Sequence, residues 1–397
     1  MIEFRHPREE ERPEVADLMR IAFNPPPERA RALESELVLE GFLAAYEQGN
    51  LAAIAKAHRM EQWFGGRPVP MSGIAAVAAV PERRGGRIAS QTVAELLRRE
   101  KTRGAVITSL YPSRSDVYRR LGYEYSGART RWKVPLSALR ADGDAPVERM
   151  TAADRPAVDA CYRAFAATQS GPIACDEQSW WSQRIARESA GLTTRSVVVR
   201  GAGGAGVEGY AVFQIEPGTS HLGFGYRIAC THLVFLTQRA GASLLNYFRR
   251  YRGIGTELIW YGAPNDPVAL LMETGADTLA PVSILRFMTR LLDVPGAFAA
   301  RGWPPVSGSA EIAVADPLFQ ENDGLFRLIA KDGVVRAEKA GPRAGAAMSI
   351  NALSALWSGG LSAGDLERLG GLPAGGGARA LLAALCPPEP CWMFEMF

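Results

Sequence analysis

The residues whose types and spacing best suit a binding site form one stretch, 77–89. In this stretch an apolar run leads into a basic turn with two glycines and then into a helical pattern. A strand that turns through glycine into a helix presents backbone N–H groups at the positive end of that helix, where a pyrophosphate can bind. Arg83, Arg84 and Arg87 add positive charge at the same place. An ordinary strand-to-helix turn with solvated arginines has the same composition, so both interpretations stay open.

The stretch resembles the acetyl-CoA signature of the GCN5-related N-acetyltransferases (GNAT), in which a strand ending in Val-x-Pro is followed by Arg-x-x-Gly-x-Gly/Ala. Pro81 and residues 84–89 stand in those places. Arg87 is a departure, because it stands where the family usually has its first glycine. The resemblance implies acetyl-CoA as cosubstrate, without a metal. The implied cofactor-binding residues are Val77, Ala78, Ala79, Arg84, Gly85, Gly86, Arg87, Ile88, Ala89 and Ser113.

The second matching element, residues 116–123, reads Asp-Val-Tyr-Arg-Arg-Leu-Gly-Tyr. In GNAT enzymes a tyrosine ahead of a Leu/Phe-Gly-Tyr/Phe turn acts as general acid on the leaving coenzyme A thiolate, and Tyr118 matches it. A phenol has an ordinary pKa of about 10, so it is protonated at neutral pH and can donate this proton. A core tyrosine on an amphipathic segment is the alternative interpretation.

Further stretches extend the resemblance to the whole chain, which looks like the Eis (enhanced intracellular survival) branch of GNAT proteins. They are residues 69–83, 256–267, 287–298 and 355–363. The resemblance implies an α/β (α+β) fold with two tandem GNAT-like domains, built on mixed sheets, and a C-terminal sterol-carrier-protein-like α+β domain. We expect a catalytic GNAT domain over residues 1–142, a second, cofactor-free GNAT-like domain over 143–301, and the third domain over 302–397. Members of this family commonly form homo-oligomers, usually hexamers.

The last segment, residues 386–397, is apolar up to Phe397. Chain ends are usually polar and frayed, so this composition predicts an anchored tail. The Eis resemblance implies that the α-carboxylate of Phe397 enters the active site, where it would accept the proton of the attacking amine. Simple hydrophobic docking of the tail is the alternative, and both can hold together.

The acceptor side carries fewer signals. An amine pocket uses carboxylates and aromatic walls, and the candidate substrate-binding residues are Phe23, Asn24, Trp63, Ala76 and Glu395. Asn24 stands where aminoglycoside-modifying relatives have an acid, which weakens the case for a polycationic aminoglycoside. The predicted reaction is direct attack by a primary amine of a small molecule, aminoglycoside-like or otherwise, or of a lysine. The alternative is a non-catalytic GNAT scaffold that binds acyl-CoA or a small ligand as a sensor or assembly module.

The elements that must position these residues begin with a predicted strand at 2–5 and a helix whose Val15, Leu18, Met19 and Ala22 share one apolar face. A second helical pattern runs from about residue 28 to residue 48. Apolar runs at 51–60 and 68–80 then predict a hairpin, because a glycine-containing turn lies between them. A helix from about residue 88 and a buried strand at 105–110 follow, so the glycine turn lies between a strand and a helix.

Residues 141–146 have the composition of a linker, and the order of elements then restarts. Strands are predicted at 147–150, 194–199, 209–216, 231–235 and 257–261, with an acidic helix start at 152–156 and a helix over 240–250. This order is typical of a diverged second copy of the first unit. A third unit starts near Gly302, with a strand at 309–316, a hairpin around residues 331–333 and helices at 351–356 and 363–369.

Composition excludes several classes of protein. The 397 residues carry 45 basic and 42 acidic side chains, a net charge of +3, so no concentrated basic face predicts nucleic-acid binding. No apolar run approaches about 18 residues, so we expect a soluble, cytoplasmic protein without a membrane partner. The four histidines, His221 among them, lack metal-site spacing. Cys161, Cys175, Cys230, Cys386 and Cys391 form no CxxC pair, which favours reduced thiols.

Overall fold

The computed structural model describes residues 1–174, 193–204, 206–218, 223–272, 278–372, 377–389 and 391–397. Cys175 and His221 lie outside the described residues. The first unit contains β1 (Ile2–Arg5), α1 (Arg12–Phe23), α2 (Pro27–Glu36), β2 (Phe42–Glu47), β3 (Asn50–Phe64), β4 (Arg67–Ala79), α3 (Ile88–Thr102), β5 (Ile107–Leu110), α4 (Ser115–Arg119) and β6 (Glu124–Pro135).

The second unit repeats this order and the third unit is a small sheet with helices. The second contains β7 (Val147–Arg149), α5 (Arg155–Ala166), β8 (Thr193–Arg200), β9 (Val207–Gly218), β10 (Gly225–Phe235), α6 (Gln238–Arg249), β11 (Gly255–Gly262) and β12 (Ala280–Leu291). Helix α7 (Val294–Ala300) leads into the third unit, which contains β13 (Gly308–Ala315), β14 (Gly324–Lys331), β15 (Val334–Gly341), β16 (Met348–Ser349), α8 (Ile350–Trp357), α9 (Ala363–Arg368) and α10 (Gly377–Leu385).

The first two units share one sheet, because they exchange their last strands. Twelve strands of the described chain follow the order β1-β2-β3-β4-β5-β12-β6-β11-β10-β9-β8-β7. Strand β12 of the second unit pairs antiparallel with β5 of the first unit, and β6 of the first unit pairs antiparallel with β11 of the second. The exchanged strands also pair with each other, so the two units form a continuous mixed sheet.

The third unit packs on the first through a shared apolar core. Its sheet has the order β15-β14-β13-β16, and helix α8 contacts both β6 and β12. Phe64 of β3 packs against Trp357 of α8, with their ring centroids 4.8 Å apart. The predicted fold class, two GNAT-like units with mixed sheets and a C-terminal α+β unit, agrees with this architecture.

The helical pattern predicted for residues 28–48 is wrong in its second half. Helix α2 ends at Glu36, and residues 42–47 form strand β2, in which Phe42 and Tyr46 are buried. Gly41 adopts a φ of 83°, which ends any helix before the strand begins. A short apolar run that is buried on both faces has no alternation to separate a strand from a helix, and this caused the error.

The four described cysteines, Cys161, Cys230, Cys386 and Cys391, are buried free thiols. Burial raises the pKa of Cys161 to about 12 and that of Cys386 to about 11, so neither is a nucleophile at neutral pH. Among the described helices, none is long and apolar enough to cross a membrane.

Candidate active site

The sheet of the first unit opens between β4 and β5. These parallel strands pair only at Met71–Gly73 and 107–109, while β4 continues to Ala79. A β-bulge follows the last paired residue, since Ile54 of β3 faces Ala78 whereas Lys56 faces Ala75, and Ala76 takes a φ of 49°. A bulge of this kind bends the strand and leaves one residue unpaired. The far half of β4 therefore borders a cleft.

The backbone of β4 offers hydrogen-bonding groups to this cleft. The N–H of Val80 donates to the carbonyl of Ala52 on β3 at 3.0 Å, so the preceding residue faces the opposite edge because backbone directions alternate along a strand. The carbonyl of Ala79 accordingly accepts from Nε of Arg84 at 3.4 Å. The same alternation turns Val77 toward the cleft. A linear amide-containing ligand can pair with such an edge as an added strand does.

The N-terminus of α3 lies at the end of this cleft and is uncapped. Arg87 holds the N-cap position with no side-chain hydrogen bond, and the first turn contains no acidic residue. The first N–H groups of a helix have no partner within it, and its dipole favours an anion there. Gly85 takes a φ of 80° in open space, whereas Arg87 has φ −97° and ψ −2°. Arginine in place of the family glycine is therefore unstrained, because only Gly85 needs the left-handed conformation.

These features line one cavity of about 920 Å³. The predicted cofactor-binding residues border it, with the exception of Ile88, whose side chain is buried against Ala45 and Ala53. Five arginines line the cavity (Arg83, Arg84, Arg87, Arg114 and Arg120), and Asp116 is the one acid among its described lining residues. Arg83 pairs with Glu47 at 2.7 Å and Arg114 with Asp116 at 3.0 Å, whereas Arg84 and Arg87 form no ion pair within the described residues.

Tyr118 lies where this cavity meets a second one of about 340 Å³, and its side chain borders both. The residue is buried overall, and its ring meets Tyr123 edge-on at 6.0 Å. Burial raises the pKa of Tyr118 above its ordinary value. Tyr123, by contrast, is fully buried and its hydroxyl bonds Thr108 at 2.9 Å. Of the two motif tyrosines, Tyr118 faces the cavities.

The second cavity collects some of the predicted substrate residues and not others. Phe23, Ala76 and Phe397 line it, together with Val77, Ser113 and Tyr118, which it shares with the larger cavity. Asn24 does not line it; this residue ends α1 with a φ of 42°. Trp63 packs instead in the core that contains Tyr162, Trp392 and Phe394, and the Glu395 side chain is buried elsewhere.

Comparisons with known proteins identify the architecture. Residues 3–126 and 175–291 match acetyltransferase (GNAT) domain models, and residues 294–394 match a sterol carrier protein domain. An uncharacterized N-acetyltransferase of Streptomyces avermitilis is 28% identical over 362 residues, which cover 85% of this chain and 83% of the relative. A GCN5-related N-acetyltransferase structure from Kribbella flavida is 26% identical, covers 100% of this chain and 98% of that chain, and has a TM-score of 0.83.

The chain belongs to the GNAT family. It also has the fold of Eis1 from Mycobacterium abscessus, with a TM-score of 0.80 over 100% of both chains at 21% identity. The predicted GNAT membership, with an Eis-like fold, and the three-unit fold class are therefore confirmed. The chain is an acyltransferase of the N-acetyltransferase type, and GNAT domains use acetyl-CoA as cosubstrate. Among the described residues, no group of His, Cys, Asp and Glu has the arrangement of a metal site.

The tail of this GNAT protein is anchored from Cys391 to Phe397. The carbonyl of Cys391 accepts from the N–H of Ala128 in β6 at 3.0 Å, and the Tyr111 hydroxyl donates to the carbonyl of Glu395 at 2.8 Å. The ring of Phe397 fills the space beside Gly73, where a Cβ would lie only 2.7 Å from a ring carbon. The apolar composition of the tail predicted this anchoring, and the contacts bring its last residue to the point where β4 and β5 separate.

Sequence reasoning missed several residues of the smaller cavity. Met19, Ile74, Tyr111 and Met396 line it, but the signals for them were those of ordinary core or tail residues. Met19 lies on the predicted apolar face of α1, a position that is typical of a core residue. Tyr111 directly follows β5, and a position directly after a buried parallel strand is a usable signal for a site residue.

Proposed function

We propose that this GNAT protein transfers the acetyl group of acetyl-CoA to a primary amine by direct attack in the first unit. The larger cavity, with its uncapped helix end and unpaired arginines, has the chemistry to hold the pyrophosphate and 3′-phosphate of coenzyme A. The exposed edge of β4 at Val77 and Ala79 suits the amides of the pantetheine arm. The second unit would serve as scaffold, and the domain limits at residues 142 and 301 remain part of this proposal.

Two residues carry the proton transfers in this proposal. Tyr118 donates its proton to the departing thiolate, and burial keeps its hydroxyl protonated because it raises the pKa. The α-carboxylate of Phe397 accepts a proton from the attacking amine, directly or through water. Phe397 lines the smaller cavity with Tyr118, which supports this pairing of roles. No cysteine needs to act as a nucleophile.

The observation that carries the proposal is the position of Tyr118. Its side chain borders both cavities, so a molecule in either one can reach it. Reacting groups from the two cavities would meet at this residue. A general acid in this place can protonate the thiolate of an acetyl-CoA bound in the larger cavity while the amine that accepts the acetyl group lies in the smaller one.

The test is acetyl-CoA titration by calorimetry, followed by thiol release with a panel of amines. We expect Tyr118→Phe to bind acetyl-CoA normally and to lose roughly 100-fold or more in kcat. Tyr123→Phe is the control, because it removes the other tyrosine hydroxyl of the same motif, which lies away from the cavities and bonds Thr108. Removal of Phe397, or one alanine added after it, should also lower kcat. Normal rates in both Tyr118→Phe and the variant lacking Phe397 would end the role assignments.

The same experiments separate this proposal from the sensor interpretation. Acetyl-CoA binding without release of coenzyme A in the presence of any amine would favour a sensor or assembly module. The aminoglycoside-like and lysine acceptors belong in the first panel for this reason. We further propose that the protein is cytoplasmic and forms a homo-oligomer, hexameric as in Eis-like relatives. Light scattering of the purified protein tests the oligomeric state.

A further inference from the structure

The smaller cavity is lined mainly by apolar and aromatic side chains. Its lining includes Met19 and Phe23 of α1, Ile74 of β4, Tyr111, and Met396 and Phe397 of the tail. Its volume of about 340 Å³ lies in the range of small-molecule pockets. The lining offers dispersion and aromatic contacts to whatever molecule enters it.

The mouth of this cavity leaves large apolar side chains on the surface. Phe23 is 49% exposed and Met396 is 64% exposed, although each borders the cavity. Exposed apolar side chains grouped at a concave site indicate a binding surface. Methionine side chains such as Met19 and Met396 adapt to irregular apolar ligands because they are flexible and polarizable.

We infer that the acceptor is a monoamine with an apolar body, of the arylalkylamine type. The inference rests on the proposed function and names its substrate class. The aromatic body lies between Phe23, Tyr111 and Met396, and its amine nitrogen lies beside Tyr118 at the junction of the cavities. One C–N bond forms and one C–S bond breaks. The nitrogen loses one proton, the sulfur gains one, and the products are an N-acetyl amine and coenzyme A.

The test compares kcat/KM for phenethylamine with that for spermidine and for an aminoglycoside, using the full chain. We expect phenethylamine to exceed both polycations by about tenfold or more, since one apolar group in a hydrophobic pocket discriminates by about that factor. Phe23→Ala should lower kcat/KM for phenethylamine about tenfold and leave that for spermidine within twofold. Ile21→Ala is the matched control, because Ile21 is 50% exposed on the same helix and does not border the cavity.

A second variant protects the test from failures of folding. Met396→Glu adds a negative charge beside the cavity and should raise the ratio of kcat/KM for spermidine to kcat/KM for phenethylamine several-fold. Leu369→Glu is the control, because it adds the same charge on an exposed residue of the third unit. An aminoglycoside or spermidine used as well as phenethylamine would overturn the inference and leave the proposed function intact. Bound acetyl-CoA with no turnover of any amine would overturn both.

A separate observation concerns the residues that hold α4, the helix of Tyr118. With only five residues it is too short to be stable by itself. Asn351 of α8 donates both hydrogens of its amide nitrogen, to the carbonyl of Arg119 and to that of Tyr123, each at 2.8 Å. The third unit therefore bonds the backbone on both sides of the turn that follows Tyr118.

The same turn is held from β12. The buried Arg290 guanidinium donates to the carbonyl of Leu121 and forms a two-pronged ion pair with Asp316, at 2.9 and 2.8 Å. Gly122 has a φ of 89°, and a Cβ there would overlap Arg290. The glycine of the Leu-Gly-Tyr motif is thus explained by its conformation and by the guanidinium that occupies its side-chain space.

We propose that Asn351 is a positioning residue for Tyr118, through its two hydrogen bonds to the turn. This also rests on the proposed function. Asn351→Leu should lower kcat about tenfold with the acetyl-CoA KM within twofold, and Asn351→Gln, which keeps the amide, should restore most of the rate. Ser362→Ala is the control, because it removes an α9 cap in the same unit whose hydroxyl bonds Asp365 and not the turn.

Two outcomes bear on this second proposal. Equal losses of kcat in Asn351→Leu and Ser362→Ala would show a general stability effect and overturn it. A loss confined to Asn351→Leu, at matched melting temperature, supports it. An unchanged kcat in Tyr118→Phe would remove the general-acid role of Tyr118 and overturn this proposal with it, while the proposed function would stand.

Discussion

The two GNAT units use the same strand-turn-helix arrangement and differ at the helix end. In the first unit, α3 begins without a side-chain cap, and arginines surround its first turn. In the second unit, the Thr237 hydroxyl caps α6 by accepting from the N–H of Ala240 at 3.2 Å. Glu208 lies beside that cap, where it accepts from Thr237 at 3.2 Å and Arg239 at 3.4 Å. A protein carboxylate thus occupies the place where an anion would bind.

The clefts beside the bulged strands differ in the same way. Strand β10 is bulged between Cys230 and His232, just after its last residue paired with β11, as β4 is bulged after Gly73. Phe394 of the tail stacks on His232 with ring centroids 4.5 Å apart, and Tyr162 and Trp392 pack around them. At β4 the corresponding space remains a cavity. The two units therefore share a backbone scaffold and differ in whether side chains fill the cleft beside the bulged strand. The cleft at β10 is filled, whereas the cleft at β4 is open to a ligand.

The largest effect is expected from emptying the filled cleft. Phe394→Ala should lower the free energy of unfolding by roughly 3–4 kcal/mol, because it removes a buried aromatic ring and leaves a void. Urea denaturation measures this. The exposed Leu369→Ala should change the value by less than about 0.5 kcal/mol. Acetyl-CoA stoichiometry should stay at one per chain, and a second bound molecule in Phe394→Ala would contradict the assignment of the second unit as scaffold.

Closing the open helix end should have the next largest effect. Arg87→Asp gives α3 an N-cap acid that accepts from the first-turn N–H groups and repels phosphate, so the acetyl-CoA Kd should rise by about 100-fold. Calorimetric titration measures the change. Gln238→Asp places the same acid in the first turn of α6 and should leave the Kd unchanged. An unaltered Kd in Arg87→Asp would place the pyrophosphate elsewhere.

The open site should also respond to acid through His58. Burial and the nearby Lys56 ammonium lower the pKa of His58 to about 4, and its ring lies 6.4 Å from that of Phe397. The unfolded chain binds more protons between an ordinary pKa of about 6.5 and pH 4, so stability falls with decreasing pH in this window. We expect a loss of about 2 kcal/mol from pH 7.5 to pH 5, which His58→Gln should remove. Melting curves at both pH values measure this. An equal loss of stability between pH 7.5 and pH 5 in the wild type and in His58→Gln would refute the prediction.

The smallest effect concerns the filled helix end. Thr237→Ala removes the α6 cap and should cost about 1 kcal/mol of stability. Because Glu208 and the surrounding side chains remain, the acetyl-CoA Kd and kcat should not change. Chemical denaturation and steady-state rates together check this. A fall in kcat without a fall in stability would mean that the second unit takes part in catalysis.

Local sequence signals predicted local structure well. The hairpin of β3 and β4, the turn from Pro81 to α3 and the strands around residues 331–333 all formed near their predicted places, because glycine, proline and alternation act over a few residues. Cofactor-side residues also collected in one cavity, since they lie on adjoining elements. Strands β6 and β12 were not predicted, nor was their exchange, because strand periodicity carries no information about a partner some 150 residues away.

The acceptor side could be predicted only in part for the same reason. Phe23 and Phe397 line the smaller cavity, but Trp63 packs in an apolar core that composition could not distinguish from a pocket, and Glu395 is buried without lining the cavity. Met396 gave no signal beyond the apolar composition of the tail. The hydrogen bonds of Asn351 to the Tyr118 turn join residues more than 200 positions apart, which no motif spacing encodes.

The strand exchange gives the order in which the molecule can be completed during synthesis. Strand β5, next to the Tyr118 turn, finds its neighbour β12 only after residues 280–291 have left the ribosome, and the residues that reach Gly73 are made later still. A chain that ends before residue 280 therefore lacks both a central strand and the Met396 and Phe397 side chains that line the smaller cavity. Fragments released by stalled translation would carry the glycine turn without the groups that surround it, so the site can form only after residue 397 has been made.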